Sequence, residues 1–222
     1  MSHAVHPYAF RIGIHHGWKS RWFATKRYQE FLKTDVLLRA WLHKQLRSFY
    51  VERIDIERAP MLLHIIVRTS RPGLIIGRGG EGVGRLKQQI AQELVRLRSG
   101  IPKELKLTVE EVRAPESRAA IVAQMVADDL ERRLPFRRVM KQSAEKVMAN
   151  REVQGFKVML SGRLGGAEMG RREWLKRGRI PLQTLRSDVD FARSRAHLPY
   201  GDLGVKVWIY RGEIFSDTQA KN

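Results

Sequence analysis

The sequence predicts an α+β fold of two domains that follow a basic arm. In the first half, helical and strand-like apolar patterns interleave on either side of a glycine-rich loop at 77–80. The second half begins with two helical patterns and continues with strand-like alternation. A chain of 222 residues with 43% hydrophobic content is long enough for packed cores. We therefore expect an arm at 1–33, a first domain at 34–112 and a second domain at 113–222.

The composition is strongly basic along the whole chain. Lys and Arg number 42 against 23 Asp and Glu, which gives a formal net charge of +19. The net charge is +5 in the arm, +5 in the first domain and +9 in the second. This distribution favours a polyanionic partner, nucleic acid before anionic membrane. The chain has no cysteine, which excludes thiolate metal sites and a thiol nucleophile and fits a reducing compartment.

The arm combines cations with aromatic side chains. No acidic residue precedes Glu30, and Lys19 and Arg21 are among its basic residues. The aromatic residues of this stretch are Tyr8, Phe10, Trp18, Trp22 and Phe23. Two interpretations remain open: these rings cover a small satellite core, or they stack on unpaired bases.

The elements of the first domain follow one another at short intervals. A helix is predicted from Asp35, with apolar positions at Leu38, Trp41, Leu42 and Leu46. Strands are predicted at 54–57 and 63–67, with a turn at Pro60 between them. A short helix then leads into the glycine loop, a long helix runs from 83 to 97, and a third strand covers 105–109.

The second domain is predicted as two helices on a mostly antiparallel sheet. The first helix runs from Pro115 to about Leu134, and Pro135 separates it from a second helix that ends near Asn150. Strand-like segments lie at 156–160, 171–180, 183–195 and 205–211. Packing of the two helices on one face of that sheet is the simplest arrangement.

The glycine loop fits two motifs. Gly77, Gly79 and Gly82 spell G-x-G-x-x-G, the dinucleotide fingerprint, whereas Gly77 and Gly80 spell the G-x-x-G loop of a KH domain. A dinucleotide loop leaves its strand directly, and here a Pro-Gly pair and a short helix intervene. The order of elements instead matches the KH domain type in which two strands precede the helix pair, type II. We therefore assign RNA binding to Gly77, Arg78, Gly79 and Gly80.

Several longer blocks resemble the family of the third protein of the bacterial small ribosomal subunit. The most specific is Ser161–Glu168, Ser-Gly-Arg-Leu-Gly-Gly-Ala-Glu, and the loop block Ser70–Glu81 matches as well. Further blocks that carry the resemblance are 5–7, 11–14, 18–24, 136–141, 178–182 and 204–209. Together they span nearly the whole chain.

The resemblance implies a type II KH domain and a C-terminal α/β domain in the head of the small subunit. Its implied partners are ribosomal RNA, messenger RNA (mRNA) at the channel where it enters, and small-subunit proteins ten and fourteen. By motif, the residues that help to unwind incoming mRNA correspond to Arg137, Arg138 and Lys141. The implied location is the cytoplasmic ribosome. Many family members carry two basic residues between the end glycines of the loop, and this chain has Gly79 at one of those positions.

The physical pattern supports that assignment of the helix. Arg137, Arg138 and Lys141 fall within one sector of a helix, next to an apolar sector that can be buried. Such an edge can hold single-stranded phosphates without reading bases. A second basic run is expected to contact ribosomal RNA together with Lys19 and Arg21. Its members are Arg163, Arg171, Arg172, Lys176, Arg177 and Arg179. Trp174 within this run is predicted to lie in the core.

Catalytic interpretations find little support. The seven histidines lack a metal-binding spacing, and Asp188 and Asp190 are interpreted as ion-pair partners of Arg186, Arg193 and Arg195. We expect no catalytic residue, cofactor or metal site. The alternative is a free KH-type RNA-binding or RNA-processing protein, and a processing enzyme would require a metal or a nucleotide.

Overall fold

A computed structural model describes residues 5–97 and 103–215, which form two compact units. The central unit is Trp18–Arg113, and the terminal unit joins the residues up to Gly17 with those from Ala114 onwards. The predicted arm is thus divided between the two units. Its first helix, α1 (Pro7–Phe10), belongs to the terminal unit.

The central unit is a mixed sheet covered by helices. Its sheet has the order β1-β2-β3-β4, in which β2 and β3 are antiparallel and the other two pairs are parallel. In chain order the elements are β1 (Ser20–Arg21), α2 (Tyr28–Gln45), β2 (Val51–Arg58), β3 (Leu62–Thr69), α3 (Pro72–Ile76), α4 (Glu81–Arg96) and β4 (Glu104–Glu111). The helix–strand–strand–helix–loop–helix–strand order predicted from the sequence is confirmed.

Helices α2 and α4 bury one apolar face each against the sheet. From α2 the buried residues include Leu38 and Leu42, and from α4 they include Ile90 and Leu94. Spacings of three and four residues put these side chains on a single helix face. That face holds α4, and the glycine loop at its start, in a fixed place on the sheet.

Helix α2 begins at Tyr28, so the predicted start at Asp35 is wrong. Asp35 is fully buried inside the helix, where its carboxylate accepts hydrogen bonds from Arg58 (2.6 Å) and from the Trp22 indole (2.7 Å). Its sequence pattern resembles an N-cap, but the side chain serves a buried ion pair instead. The Trp22 ring also packs edge-on against Phe31, at 5.6 Å between centroids. Trp22 therefore belongs to a satellite core, whereas Phe23 is 90% exposed.

The terminal unit is a two-layer arrangement of helices on an antiparallel sheet. Its sheet order is β6-β5-β8-β7, and every neighbouring pair is antiparallel. The elements are α5 (Ala119–Glu131), α6 (Phe136–Met148), β5 (Gly155–Gly162), β6 (Arg171–Gly178), β7 (Ser187–Leu198) and β8 (Gly201–Glu213). The predicted α+β class, with two helices on this sheet, is confirmed.

One side of this sheet faces α5 and α6 and forms the core. Phe156, Val158 and Leu160 of β5 lie there with Val207 of β8, all of them fully buried. We call this the helix side and the opposite one the outer side. Because side chains alternate along a strand, the residues between these core positions point to the outer side.

Residues near the N-terminus attach to this unit through Arg11. Its side chain is fully buried, and its guanidinium donates hydrogen bonds to the carbonyls of Ser187 (2.7 Å) and Leu182 (2.9 Å). Further bonds reach the carbonyls of Pro7 (3.0 Å) and Thr184 (2.9 Å). A buried guanidinium satisfied by carbonyls joins two segments that lie far apart in sequence.

Across 5–97 and 103–215, no helix has the length and apolarity that crossing a membrane requires.

Candidate nucleic-acid interface

The glycine loop lies between α3 and α4, as predicted. Gly77 ends α3, with its N–H donating to the Gly73 carbonyl (2.9 Å), and the Arg78 side chain is exposed. A Cβ atom at Gly82 would come within 2.4 Å of the Ile75 carbonyl oxygen, so only glycine permits this approach of the two helices. The loop therefore presents bare backbone and one guanidinium, which suits close contact with a sugar-phosphate chain.

The two arm cations lie in the central unit beside β2. Arg21 is next to Glu57 (3.4 Å) and Asp55 (3.9 Å), so part of its charge is compensated within the chain. The Lys19 carbonyl accepts a hydrogen bond from Ile56 (2.9 Å), and the Lys19 side chain is exposed. Both residues belong to the same unit as the glycine loop, although they lie far from it in the sequence.

Helix α6 carries the predicted basic edge. Arg137, Arg138 and Lys141 are all exposed. The opposite side of the helix is buried through Val139, Met140, Ala144 and Val147. Two further cations that the sequence pattern does not single out, Arg132 and Arg133 in the preceding turn, are exposed too. Arg133 adopts a left-handed backbone (φ +62°) that ends α5, and no periodicity signals this.

Strand β6 divides the second basic run between the two sides of the sheet. Arg171 and Arg177 lie on the helix side with Glu173 and Leu175, whereas Arg172 and Lys176 lie on the outer side with Trp174. The sequence places these cations in one cluster. Because side chains alternate along a strand, these cations form two sets that point to opposite sides of the sheet.

On the helix side, carboxylates compensate the cations. Glu173 accepts a hydrogen bond from Arg171 (2.9 Å) and lies 3.5 Å from the Arg137 Nε. These two guanidinium groups, Arg171 first, lower the pKa of the Glu173 carboxyl below its usual value. Arg177 lies 4.0 Å from Glu145 of α6. The ion pairs connect the basic edge of α6 to β6 and hold Arg137 near the strand.

On the outer side, the cations lie beside an exposed indole. Trp174 is 61% exposed, so its predicted place in the core is wrong. The side chain of β6 that packs against the core is its neighbour Leu175, which points to the other side of the sheet. Among the described residues, neither Arg172 nor Lys176 has a carboxylate within ion-pair distance.

The remaining predicted cations flank β6. Arg163 donates to the carbonyls of Ala167 (2.9 Å) and Tyr200 (3.2 Å) and thereby fixes the glycine-rich connection after β5. Arg179 follows the end of β6 and is exposed. Arg163 thus shapes the backbone, in addition to any contact with RNA.

The carboxylates considered in the sequence have structural partners. Asp188 pairs with Arg211 (2.9 Å), and Asp190 accepts the backbone N–H of Ala119 (2.7 Å) at the start of α5. The ion-pair interpretation is therefore confirmed for Asp188, although with a different arginine, and wrong for Asp190. Nowhere in the described part of the chain do three His, Asp or Glu side chains come together as metal ligands.

Comparisons with known proteins agree with this geometry over the whole chain. A family model described as a KH domain matches residues 37–117, and one described as Ribosomal protein S3, C-terminal domain matches residues 126–209. The small ribosomal subunit protein uS3 of Caldicellulosiruptor bescii is 42% identical over 221 residues, which cover 99% of this chain and 96% of the relative. That of Desulfosudis oleivorans is 42% identical and covers both chains fully. That of Alkalilimnicola ehrlichii is 43% identical and covers 99% of this chain and 94% of the relative. Identity of this extent, together with both domain matches, shows that the chain belongs to the family of small ribosomal subunit protein uS3.

Proposed function

We propose that this chain is a non-catalytic component of the head of the small ribosomal subunit in the cytoplasm. It binds the ribosomal RNA of that subunit and lines the channel where mRNA enters. Membership of the uS3 family over nearly full length supports the place in the subunit. The net charge of +19, distributed over both units, supports a large contact with phosphates.

The observation that carries the role in the channel is the basic edge of α6. Arg137, Arg138 and Lys141 project from a helix whose other side is buried in the core. Arg132 and Arg133, between the end of α5 and the start of α6, are exposed as well. Three exposed cations on a rigid helix can hold a phosphate backbone at a fixed distance from the protein.

Such an edge assists unwinding by holding a strand after it separates. The cations bind single-stranded phosphates as they emerge from a duplex, and translocation of the ribosome supplies the work. Glu173 keeps Arg137 near β6, which limits how far that guanidinium can follow the strand. The chain itself hydrolyses no nucleotide in this mechanism.

The test is progress of ribosomes through a stable mRNA hairpin. Subunits carry the chain with Arg137→Ala, Arg138→Ala and Lys141→Ala together, and we expect several-fold slower passage through the hairpin at unchanged speed on unstructured message. A matched triple variant, Lys146→Ala, Arg151→Ala and Arg186→Ala, removes the same charge from exposed positions of the same unit. Unchanged passage in the first variant, or equal slowing in both, contradicts the role of the edge.

The proposed protein partners are small-subunit proteins ten and fourteen. Apolar side chains exposed on the central unit support a protein contact there: Trp18 is 66% and Phe23 is 90% exposed. Leu32 and Val36 on α2 are further exposed apolar side chains of this unit. We expect Phe23→Ser to weaken retention of proteins ten and fourteen on subunits during a high-salt wash. Equal retention by subunits with the native chain and by subunits with the Phe23→Ser variant contradicts this assignment.

A further inference from the structure

The outer side of the terminal sheet combines aromatic rings with cations. Strand register brings Trp174 of β6 opposite Met159 of β5, and Lys176 opposite Lys157. It also brings Lys157 opposite Trp208 of β8. Three neighbouring strands thus contribute alternating indole and ammonium groups to one continuous surface.

Lys157 lies between the two indoles. Its Nζ is 5.4 Å from the ring centroid of Trp174 and 5.1 Å from that of Trp208. Both distances are within the range of a cation–π contact, so the lysine holds the two rings in place on the sheet. Trp174 nevertheless keeps 61% of its surface exposed, which leaves ring surface available to a ligand.

The N-terminal segment covers only part of the outer side. The His6 ring lies 4.8 Å from Phe191, edge-on, and Phe191 is 9% exposed. Phe191 in turn contacts Trp208, at 5.1 Å between centroids. Residues 5–17 thus cover the sheet at Phe191, next to Trp208, whereas Trp174 and Lys176 are exposed and Lys157 is partly exposed.

The charge of the outer side is almost entirely positive. The basic residues at outward positions of the four strands are Lys157, Arg172, Lys176, Arg193, Arg195 and Lys206. The carboxylate among the outward positions of these described strands is Asp202, which pairs with His197 (2.8 Å) at the β7–β8 turn. An acidic ligand with planar rings therefore fits this surface better than an apolar protein face does.

We propose that this open surface, Trp174 with Lys157, Lys176 and Arg172, is a stacking platform for an unpaired nucleotide of single-stranded RNA. A base stacks on the exposed face of Trp174, and the flanking phosphates bind Lys176 and Arg172 on either side of it. The platform rests on the proposed RNA-binding function, but it faces away from α6 and its basic edge. It binds without reading base identity, because every base offers a flat ring surface.

The test is binding of fluorescently labelled ten-nucleotide oligoadenylate to the full chain, beside an abasic oligonucleotide of the same length. We expect Trp174→Leu to weaken binding of oligoadenylate about 5- to 100-fold. Binding of the abasic chain, which offers phosphates without rings, should change less than twofold. Trp174→Phe should restore most of the affinity, since it keeps an aromatic face. The matched control Phe215→Leu removes another exposed ring of the same unit, 54% exposed, and should leave both affinities unchanged.

A second measurement locates the platform in assembled subunits. A photoreactive phenylalanine analogue at position 174 should cross-link to RNA on irradiation. Cross-linking to a ribosomal protein instead overturns the proposal and assigns the surface to a protein partner. Equal affinities of the native chain and Trp174→Leu for oligoadenylate also overturn it, as does absence of oligoadenylate binding by the native chain. In each of these cases, stoichiometric retention of the native chain on small subunits leaves the proposed function standing, and its loss refutes that function separately.

Discussion

The two sides of strand β6 use the same residue types in opposite ways. On the helix side, Arg171 and Arg177 lie beside the carboxylates Glu173 and Glu145. On the outer side, Arg172 and Lys176 lie beside an exposed indole, with no carboxylate within ion-pair distance among the described residues. The first set positions the chain's own elements, whereas the second set is the one that we propose binds an external anion. A basic run in a sequence therefore does not by itself define one binding surface.

The largest expected effect concerns the stability of the terminal unit, to which Arg11 attaches the N-terminal residues. Arg11→Ala removes a fully buried guanidinium and its hydrogen bonds to the carbonyls of Leu182, Thr184 and Ser187, of which Thr184 keeps a second donor in the Ser187 hydroxyl (2.6 Å). We expect the free energy of unfolding of the terminal unit to fall by about 3 kcal/mol. Urea unfolding followed by tryptophan fluorescence measures it.

The control for this variant is Arg186→Ala. Arg186 is 59% exposed and pairs with Glu213 (2.6 Å), so its loss should change the unfolding free energy by less than about 1 kcal/mol. Equal losses in the two variants would mean that burial and carbonyl contacts of Arg11 do not stabilise the N-terminal attachment.

The next largest effect concerns RNA binding by the cations on the two sides of β6. Arg172→Ala with Lys176→Ala should weaken binding of oligoadenylate several-fold and lower the salt dependence by about 1.4 log units of affinity per decade of salt. Arg171→Ala with Arg177→Ala removes the same charge from compensated positions and should change the slope by clearly less. Titrations at several salt concentrations compare the two pairs. Equal slopes would show that the ion pairs open on binding and that the two sides do not differ.

Removal of one carboxylate should make the helix side resemble the outer side. Glu173→Gln releases Arg171 and Arg137 from their shared partner. We expect binding of single-stranded RNA to strengthen a few-fold, with a slope steeper by about 0.7 log units per released contact. Glu145→Gln is the matched control, because its contact with Arg177 is longer, 4.0 Å, and should give a smaller change. Weaker binding in the Glu173 variant would mean that the pair positions the arginines for RNA.

The smallest expected effect is a pH dependence of the free energy of unfolding, which His16 in the N-terminal segment causes. Burial lowers the pKa of His16, and Arg211 and His15 add to this against the opposite influence of Asp188 and Asp190. The unfolded chain therefore takes up a proton at this position at a higher pH than the folded chain does. The free energy of unfolding should fall as the pH decreases from about 7.5 through about 6.5.

The variant His16→Phe isolates this contribution. It keeps an aromatic ring against Tyr8, whose ring is stacked on His16 at 4.9 Å, and it does not titrate. We expect the unfolding free energy of this variant to depend less steeply on pH between about 7.5 and 5.5 than that of the native chain. Identical pH profiles in urea unfolding would assign the dependence to other groups.

The sequence predicts local elements better than the direction of individual side chains. Periodicity identifies α4 and α6 and the strands, because each element buries one regular face. Periodicity cannot tell which of the two alternating sets of side chains on β6 faces the helices. The prediction therefore puts Trp174 in the core, whereas in the structure its neighbour Leu175 packs there. Asp35 and Arg11 escape local patterns for another reason: Arg58 and Ser187, which hold them, lie 23 and 176 residues away. The two-sided division of the basic run follows only from the register of β6.

The Arg11 attachment also has a consequence for synthesis of the chain. Its acceptors Leu182, Thr184 and Ser187 leave the translating ribosome long after residues 5–17 have emerged. At about 5 to 20 residues per second, the interval is roughly 10 to 40 s. During this time the central unit, Trp18–Arg113, has all of its strands available and can fold, whereas the segment before it has no docking site. A newly made molecule thus passes through a stage in which the central unit can be folded while residues 5–17 are still undocked.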